Sequence, residues 1–300
     1  DNLLLATWLS MKSKTIVAPA MDLDMYTHPS TQKNLEILDS YGIEIIPAES
    51  GELASGLSGE GRMAEPETIA LYLENYFERQ LDPWFKGRKV LITAGPTYES
   101  IDPVRFIGNH SSGKMGYAIA EEMANRGAEV ILVSGPSKLS IVHKGITLIS
   151  VTTADEMLKA VQQHWATAQM GIFSAAVSDY RPEQVAEQKI KKSEESLTVN
   201  LVKNPDILFW AGTQKKEDQL LVGFALETNN LLENGTAKLK KKNLNCIVLN
   251  TLQDTGAGFG VDTNKISILD NYNNLKEYEL KSKAGVAIDI ADYLKNYAIK

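Results

Sequence analysis

The sequence has almost no cysteine. Of 300 residues only Cys246 carries a thiol, so no intramolecular disulfide can form, and a reducing, cytoplasmic setting is expected. No run approaches the roughly 18 apolar residues of a membrane-spanning helix, so no membrane partner is expected. Net positive charge is missing too: the formal charge is −7, which argues against a general nucleic-acid binder. The opening DNLLLATWLSMKSK lacks an initiator methionine, a basic start and a signal-peptide cleavage site, and reads as a chain entered partway through a fold. Both common phosphate loops are absent as well. The Gly113-Lys114 pair is followed by Met115 where a P-loop has Ser or Thr, and no G-x-G-x-x-G occurs.

What is present reads as alternating strands and helices. Apolar residues make up 43% of the chain, ample for a buried core in one large domain or two smaller ones. Runs at 89–95, 128–135, 146–151, 170–177, 220–226 and 246–250 are nearly continuously apolar, as strands buried on both faces of a parallel sheet are. Between them, 113–126, 153–167, 204–216 and 227–242 read as helices; Met115, Ile119 and Met123 fall at i, i+4 and i+8. This alternation predicts an α/β fold with a doubly wound, mostly parallel, Rossmann-like sheet over 88–300. KISILD (265–270) and KEYEL (276–280) add antiparallel or edge strands, and a last helix is expected near 283–297. Residues 1–80 repeat the pattern on a smaller scale: strands at 14–20 and 43–48, a helix at 29–42, a Gly-rich loop at 49–63 and a helix at 66–80. Two parallel strands cannot cover both edges of a sheet, so 1–80 reads as a partial flavodoxin-like α/β unit. LDPWFKG (81–87) reads as the linker.

The stretch RFIGNHSSGKMGYAIAEEMANRG (105–127) raises the chemical question. A strand ending at Ala94-Gly95-Pro96-Thr97 leads through Asn109 and Ser111-Ser112-Gly113-Lys114 into a helix. The first amides of a helix lack intrahelical partners and carry the positive end of its dipole, so an anion fits there. Two hydroxyls and the small Gly113 would let phosphate oxygens reach the backbone. The competing reading is a Ser N-cap on a Gly-containing turn. Basic residues also gather locally: KIKK (189–192) and KLKKKN (238–243) hold seven lysines in an acidic chain. Each run alone reads as a solvated helix face; together they suit one polyanionic ligand.

ITAGPTYESIDPVRFIGNHSSGKMG (92–116), followed by SAAVSDYRP, KIKK, VKNPDIL, GFALETNN, AKLKKKNL and GFGVDTN, resembles the bacterial phosphopantothenate-cysteine ligase family over 86–297. The resemblance implies an enzyme of coenzyme A biosynthesis that joins 4′-phosphopantothenate to L-cysteine, with CTP as co-substrate and Mg²⁺. The pantothenate carboxylate attacks the α-phosphate, pyrophosphate leaves, and the cysteine amine displaces CMP from the acyl cytidylate. Lysines, a metal and helix amides would offset the repulsion among these anions. The resemblance further implies that Asn109 and Arg105 act on the acyl cytidylate and that Lys189, on a mobile loop, supports acyl transfer. Ala175, Ala176 and Asp179 would hold cytosine and ribose at a strand end, Phe224 would line the base pocket, and Lys238 and Lys242, at i and i+4, would serve the nucleotide. Lys189 also reads as a plain surface lysine and Phe224 as core. Lys191 and Lys192 leave the loop register open, while Asn229 and Asn230 shape the adjoining cleft without an assigned role. A homodimer through the ligase domain is implied too.

Within 1–80, APAMDLDMYTHPSTQKN and GELASGLSGEGRM resemble the second half of the FMN-dependent phosphopantothenoylcysteine decarboxylase family, which performs the next step and forms a larger homo-oligomer when complete. Two positions depart from that family. Its substrate-binding Asn is Asp22 here, and the redox-active Cys of its flap is Ser55 or, in the alternative register, Ser58. A serine hydroxyl is neither readily oxidised nor acidic, so this chain is expected not to decarboxylate. Two rival readings remain: a non-catalytic nucleotide-binding α/β module, and an FMN decarboxylase that would purify yellow. The fold alone does not choose among them, because it hosts many functions; the density of motifs favours the ligase.

Overall fold

The computed structural model of the protein describes residues 3–191, 197–227, 231–251 and 261–299. The chain divides into two compact units, Asp1–Gln80 and Leu81–Lys300.

In the first unit α1 (Leu3–Ser10), β1 (Ile16–Val17), α2 (Leu23–Tyr26), α3 (Pro29–Ser40), β2 (Glu44–Ile45), β3 (Glu49–Glu52), β4 (Ser58–Arg62) and α4 (Pro66–Gln80) follow in order. β1 and β2 pair in parallel. The start of α3 is written in its sequence: Pro29 takes the first helical position, and the ring of His28 accepts a hydrogen bond from Ser30 N. The expected loop at 49–63 instead pairs with itself, as antiparallel β3 and β4. Its serines, glycines and glutamates show no apolar alternation, so the pairing rests on backbone bonds and close approach. Gly61, at φ 132°, leaves no room for a Cβ beside the Met21 carbonyl.

The second unit contains β5 (Lys89–Ala94), β6 (Tyr98–Ser100), β7 (Phe106–Gly108), α5 (Lys114–Asn125), β8 (Glu129–Ser134), β9 (Ile146–Ser150), α6 (Ala154–Trp165), β10 (Met170–Phe173) and β11 (Tyr180–Pro182). It continues with β12 (Leu201–Lys203), α7 (Ile207–Gln214), β13 (Leu220–Glu227), α8 (Leu231–Lys241), β14 (Cys246–Thr251), β15 (Thr263–Asn264), β16 (Ser267–Asp270), β17 (Leu275–Glu277), β18 (Lys281–Ser282) and α9 (Lys283–Ile299). Eight strands form one sheet in the order β17-β16-β14-β13-β10-β5-β8-β9. The strands from β9 to β14 run parallel, and β16 and β17 are antiparallel. The chain moves outward from β5 through β8 to β9, then returns to the other side of β5 with β10, β13 and β14. That reversal puts a topological switch point between β5 and β10, the place where open α/β sheets bind ligands beyond the carboxyl ends of their strands.

Apolar residues cover both faces of this sheet. Val90 and Ile92 pack with Ile119 and Met123 of α5 and Val286 and Ile290 of α9. Leu91, which points the other way, packs with Trp165 of α6, Ile207 of α7 and Leu239 of α8. α5 lies close on β5 because residue 116 is glycine: a Cβ there would sit 2.5 Å from Ala94 Cβ. Residues 81–87, expected as a linker, belong to this unit. Phe85 is fully buried in its core, Arg88 sits over the Trp84 ring, and Lys295 pairs with Asp82 at 2.8 Å. Pro83 and Gly87 mark a tight turn there, and the aromatic pair between them supplies packing that a free connector would not have.

Candidate functional site

Where β10 was expected to run to residue 177 it stops at Phe173, and residues 174–179 turn across the switch point. Ala176 N donates to Gly95 O at 2.9 Å and Thr97 N donates to Ala176 O at 3.3 Å, which carries the β5–β10 pairing just past the sheet edge. The β6–β7 hairpin follows, closed by Tyr98 stacked on Phe106 at 4.0 Å between ring centroids. Buried Glu99 fixes the hairpin by accepting from Ala154 N, at the start of α6, at 2.9 Å. The chain leaving the hairpin delivers Asn109, whose Nδ2 donates to Ala176 O at 3.0 Å. Arg105, at the hairpin turn, donates to buried Asp102 through Nε and Nη2 and to Ile190 O at 3.2 Å. That guanidinium holds the Asp102 carboxyl well below the usual carboxylate range.

Two cavities of about 200 Å³ flank the end of β10, with Ala175 and Phe224 lining both. The first opens at the N-terminus of α5 and is lined by Ser111, Ser112, Gly113 and Lys114, with Ala176, Asn264 and Lys283. The cap of α5 is Gly113, at φ 81°, with no side-chain cap bond. The Ser N-cap reading is therefore not realised: Ser111 Oγ accepts from Gly113 N at 3.3 Å, ahead of the helix. Lys114 Nζ pairs with Asp262 at 2.6 Å, and the buried Lys283 Nζ donates to Val261 O at 2.5 Å. Burial, with Lys114 nearby, pulls the Lys283 ammonium below its ordinary value, and Lys114 lowers Asp262.

The second cavity is lined by Asp179, Asn204, Asp206 and Lys242 beside the shared Ala175 and Phe224. Phe224 also packs, half buried, against the core. Asn204 shapes this wall: its Nδ2 donates to Ser178 O at 2.8 Å, and its Oδ1 accepts from Arg181 at 3.0 Å. Asp206 caps α7, accepting from Phe209 N at 3.0 Å, which is why that helix starts at Ile207 and not at 204. The same carboxylate pairs with Lys242 at 2.9 Å. Lys242 follows the end of α8, its N donating to Lys238 O at 2.9 Å. Lys238 is exposed and lines neither cavity, and neither does exposed Lys189. Lys192, Asn229 and Asn230 lie outside the described residues.

Asn204 and Asp206, within VKNPDIL, and Asp102 and Lys283 belong to the site without a role in the sequence pattern. An Asp directly before a helix is a readable cap signal. The partners of Asn204, Asp102 and Lys283 are distant in the chain and leave no local mark. In the first unit Ser55 and Ser58 are exposed in the β3–β4 hairpin, where Ser55 Oγ accepts from Leu57 N at 3.4 Å, and Asp22 stands ahead of α2. Among the described residues no group of three His, Cys, Asp or Glu side chains is placed to hold a metal, and no helix is long and apolar enough to cross a membrane.

Comparison with known proteins gives consistent relatives. The DNA/pantothenate metabolism flavoprotein C-terminal domain family matches residues 85–297, and the flavoprotein family matches residues 1–77. A coenzyme A biosynthesis bifunctional protein CoaBC of Haemophilus influenzae is 44% identical over 97% of this chain and 72% of its own length. A cysteine/cysteine sulfinic acid decarboxylase of an unknown prokaryotic organism is 49% identical over 97% of this chain and 81% of its own. The crystal structure of a CoaBC C-terminal domain, 43% identical, superimposes with a TM-score of 0.59 over 70% of this chain and 95% of that one. From matches of this extent, the chain belongs to the family of bifunctional coenzyme A biosynthesis proteins that join a flavoprotein segment to a DNA/pantothenate metabolism flavoprotein C-terminal domain.

Proposed function

We propose that residues 81–300 ligate 4′-phosphopantothenate to L-cysteine through an acyl cytidylate made from CTP. The observation that carries the reading is the pair of cavities sharing Ala175 and Phe224 across the switch point, with Asn109 held at their edge. Each, at about 200 Å³, is smaller than the roughly 300–1,000 Å³ of common small-molecule sites. One extended ligand using both would place its base beside Phe224 and Asp179. Its anionic groups would lie toward the α5 amides, Ser111, Ser112 and Lys114, with Ala176 lining the same side. Lys242 would leave Asp206 to meet a phosphate. Lys238 and Lys189 line neither cavity and would act from outside, Lys189 during acyl transfer. Asn109 and Arg105 would stabilise charge that develops at the acyl phosphate, where fixed donors are worth most. Mg²⁺ would ride on the nucleotide's phosphate oxygens and water.

A pyrophosphate-release assay with phosphopantothenate, CTP, Mg²⁺ and cysteine tests this. Release that depends on CTP, and CMP formation that depends on cysteine, are the expected results. Well-folded protein that binds nucleotide without turnover would establish the rival binding module. Asn109→Asp should lower turnover by about 10²–10³-fold with a smaller effect on the KM for CTP.

For the first unit, family membership implies FMN, but Ser55 and Ser58 offer hydroxyls where the reaction needs a thiol, and the one cysteine, Cys246, is buried in β14 of the second unit. This chain should release no CO₂ from 4′-phospho-N-pantothenoylcysteine with added FMN, nor from free cysteine, the substrate suggested by the other relative's name; CO₂ above background would refute this. A cytoplasmic homodimer formed through the second unit completes the reading, and sedimentation checks the oligomeric state.

A further inference from the structure

The Asp102 carboxylate is fully buried and accepts from five donors. Its Oδ1 accepts from Val104 N and Arg105 N, both at 2.8 Å. Those two bonds are what an aspartate at a tight turn supplies locally, and they would suffice to shape the hairpin turn. Its Oδ2 is spent elsewhere: on Arg105 Nε at 3.0 Å, Arg105 Nη2 at 2.5 Å and, from 88 residues away, Ile190 N at 3.1 Å. Arg105 Nη2 returns the contact by donating to Ile190 O at 3.2 Å. Both backbone polar groups of Ile190 are therefore held by one ion pair. A second bond, Ala186 N to Ile101 O at 3.0 Å, fastens the same segment four residues earlier.

What this clasp joins is specific. Ile190 is the neighbour of Lys189, and the turn that carries Asp102 and Arg105 belongs to the hairpin that delivers Asn109 to Ala176. A buried carboxylate is costly unless its acceptors are filled, and here a distant segment fills one of them. We infer that Asp102 is a positioning residue that anchors the base of the Lys189 segment, at Ile190, to the hairpin that delivers Asn109, so that the segment moves from a fixed point. The inference rests on the ligase reading for its effect on turnover, while the clasp itself is testable without it. In Asp102→Asn the side-chain amide nitrogen must face either Arg105 and Ile190 N, or Val104 N and Arg105 N. Either way donors meet a donor.

The test uses the full chain. In wild-type protein, trypsin should cut slowly after Lys189 and Lys191; in Asp102→Asn it should cut there about tenfold faster, because proteolysis follows the population of the opened segment. In the pyrophosphate assay the variant should lose about 10–100-fold in kcat with the KM for CTP changed by less than about threefold, as expected for a misplaced group and not a lost binding contact. Asp102→Glu should recover part of the kcat. Unchanged trypsin cleavage overturns the clasp. Faster cleavage with unchanged kcat, or a KM rise matching the kcat loss, overturns the positioning role. If wild-type protein releases no pyrophosphate, the ligase reading has failed, and with it the role in turnover, while the trypsin result still decides the clasp. Should Asp102→Asn fail to fold, Arg105→Lys, which keeps a cation beside Asp102 and loses the Nη2 bond to Ile190 O, must show the same faster cleavage.

Discussion

The two units are built from the same alternation of strand and helix, yet only one of them forms a deep core. In residues 81–300 the sheet is covered on both faces, and Trp165, Phe85, Leu91, Ile92 and Met123 are essentially inaccessible. Among the described residues of the first unit the buried apolar side chains are Ile43, Ile46, Ala64 and Tyr76, while Leu4, Leu9, Leu71 and Phe77 are exposed. The local chemistry of the two is alike, with amphipathic helices, a capped start at α3 and parallel pairing. In this chain six parallel strands carry helices on both faces, whereas the first unit holds one parallel pair and one hairpin and so has less area to bury. Local pattern makes elements, and only stacked elements make a core.

The largest expected effect lies inside the deep core. Trp165 is buried and its Nε1 donates to Ala211 O at 3.0 Å, so Trp165→Ala should cost the second unit about 3–5 kcal/mol in urea unfolding. An equal loss from Tyr76→Ala would break the contrast between the units. Next comes the close approach of α5 to β5: Gly116→Ala should cost about 1–3 kcal/mol, because the new methyl meets Ala94 and Ser174. A smaller effect concerns acid. Arg105 and Lys114 hold Asp102 and Asp262 below the usual carboxylate value of 3.8. The unfolded chain therefore takes up these protons first, so the stabilisation is full above that value and is lost as pH falls through the lower folded values. Melting temperatures measured from pH 6 downward should fall less steeply for Asp102→Asn than for wild type. The smallest effects belong to the first unit's surface, where Leu9→Ser and Leu71→Ser should shift unfolding by less than about 0.5 kcal/mol.

The sequence made the central sheet legible because strands buried on both faces need unbroken apolar runs, and those runs name β5, β8, β10, β13 and β14 directly. It did not reveal β3 and β4, whose pairing uses backbone groups and glycine clearance, nor the place of Phe85, since Pro83 and Gly87 look the same in a linker and in a packed turn. For the candidate site, Ser111 to Lys114, Ala175, Ala176, Asp179, Phe224 and Lys242 all line the two cavities. Lys238 and Lys242 show the limit of periodicity: a helical spacing puts them on one side, but α8 ends at Lys241, and only the residue beyond it turns inward. Asp102 was invisible for a different reason. Its meaning depends on Ile190, and no local window contains both.

The ion pair between Asp206 and Lys242 has a consequence for selectivity. A lysine already neutralised by a carboxylate of its own protein projects little field into solvent, so stray monovalent anions gain little by approaching it. A polyphosphate would carry enough charge to draw the lysine away, which leaves the Asp206 carboxylate to its cap bond with Phe209 N. Such a pair would favour a polyphosphate over weak anions at this wall of the cavity. Hydrogen exchange at Phe209 N should then be no faster with nucleotide than without, since the cap of α7 keeps its acceptor.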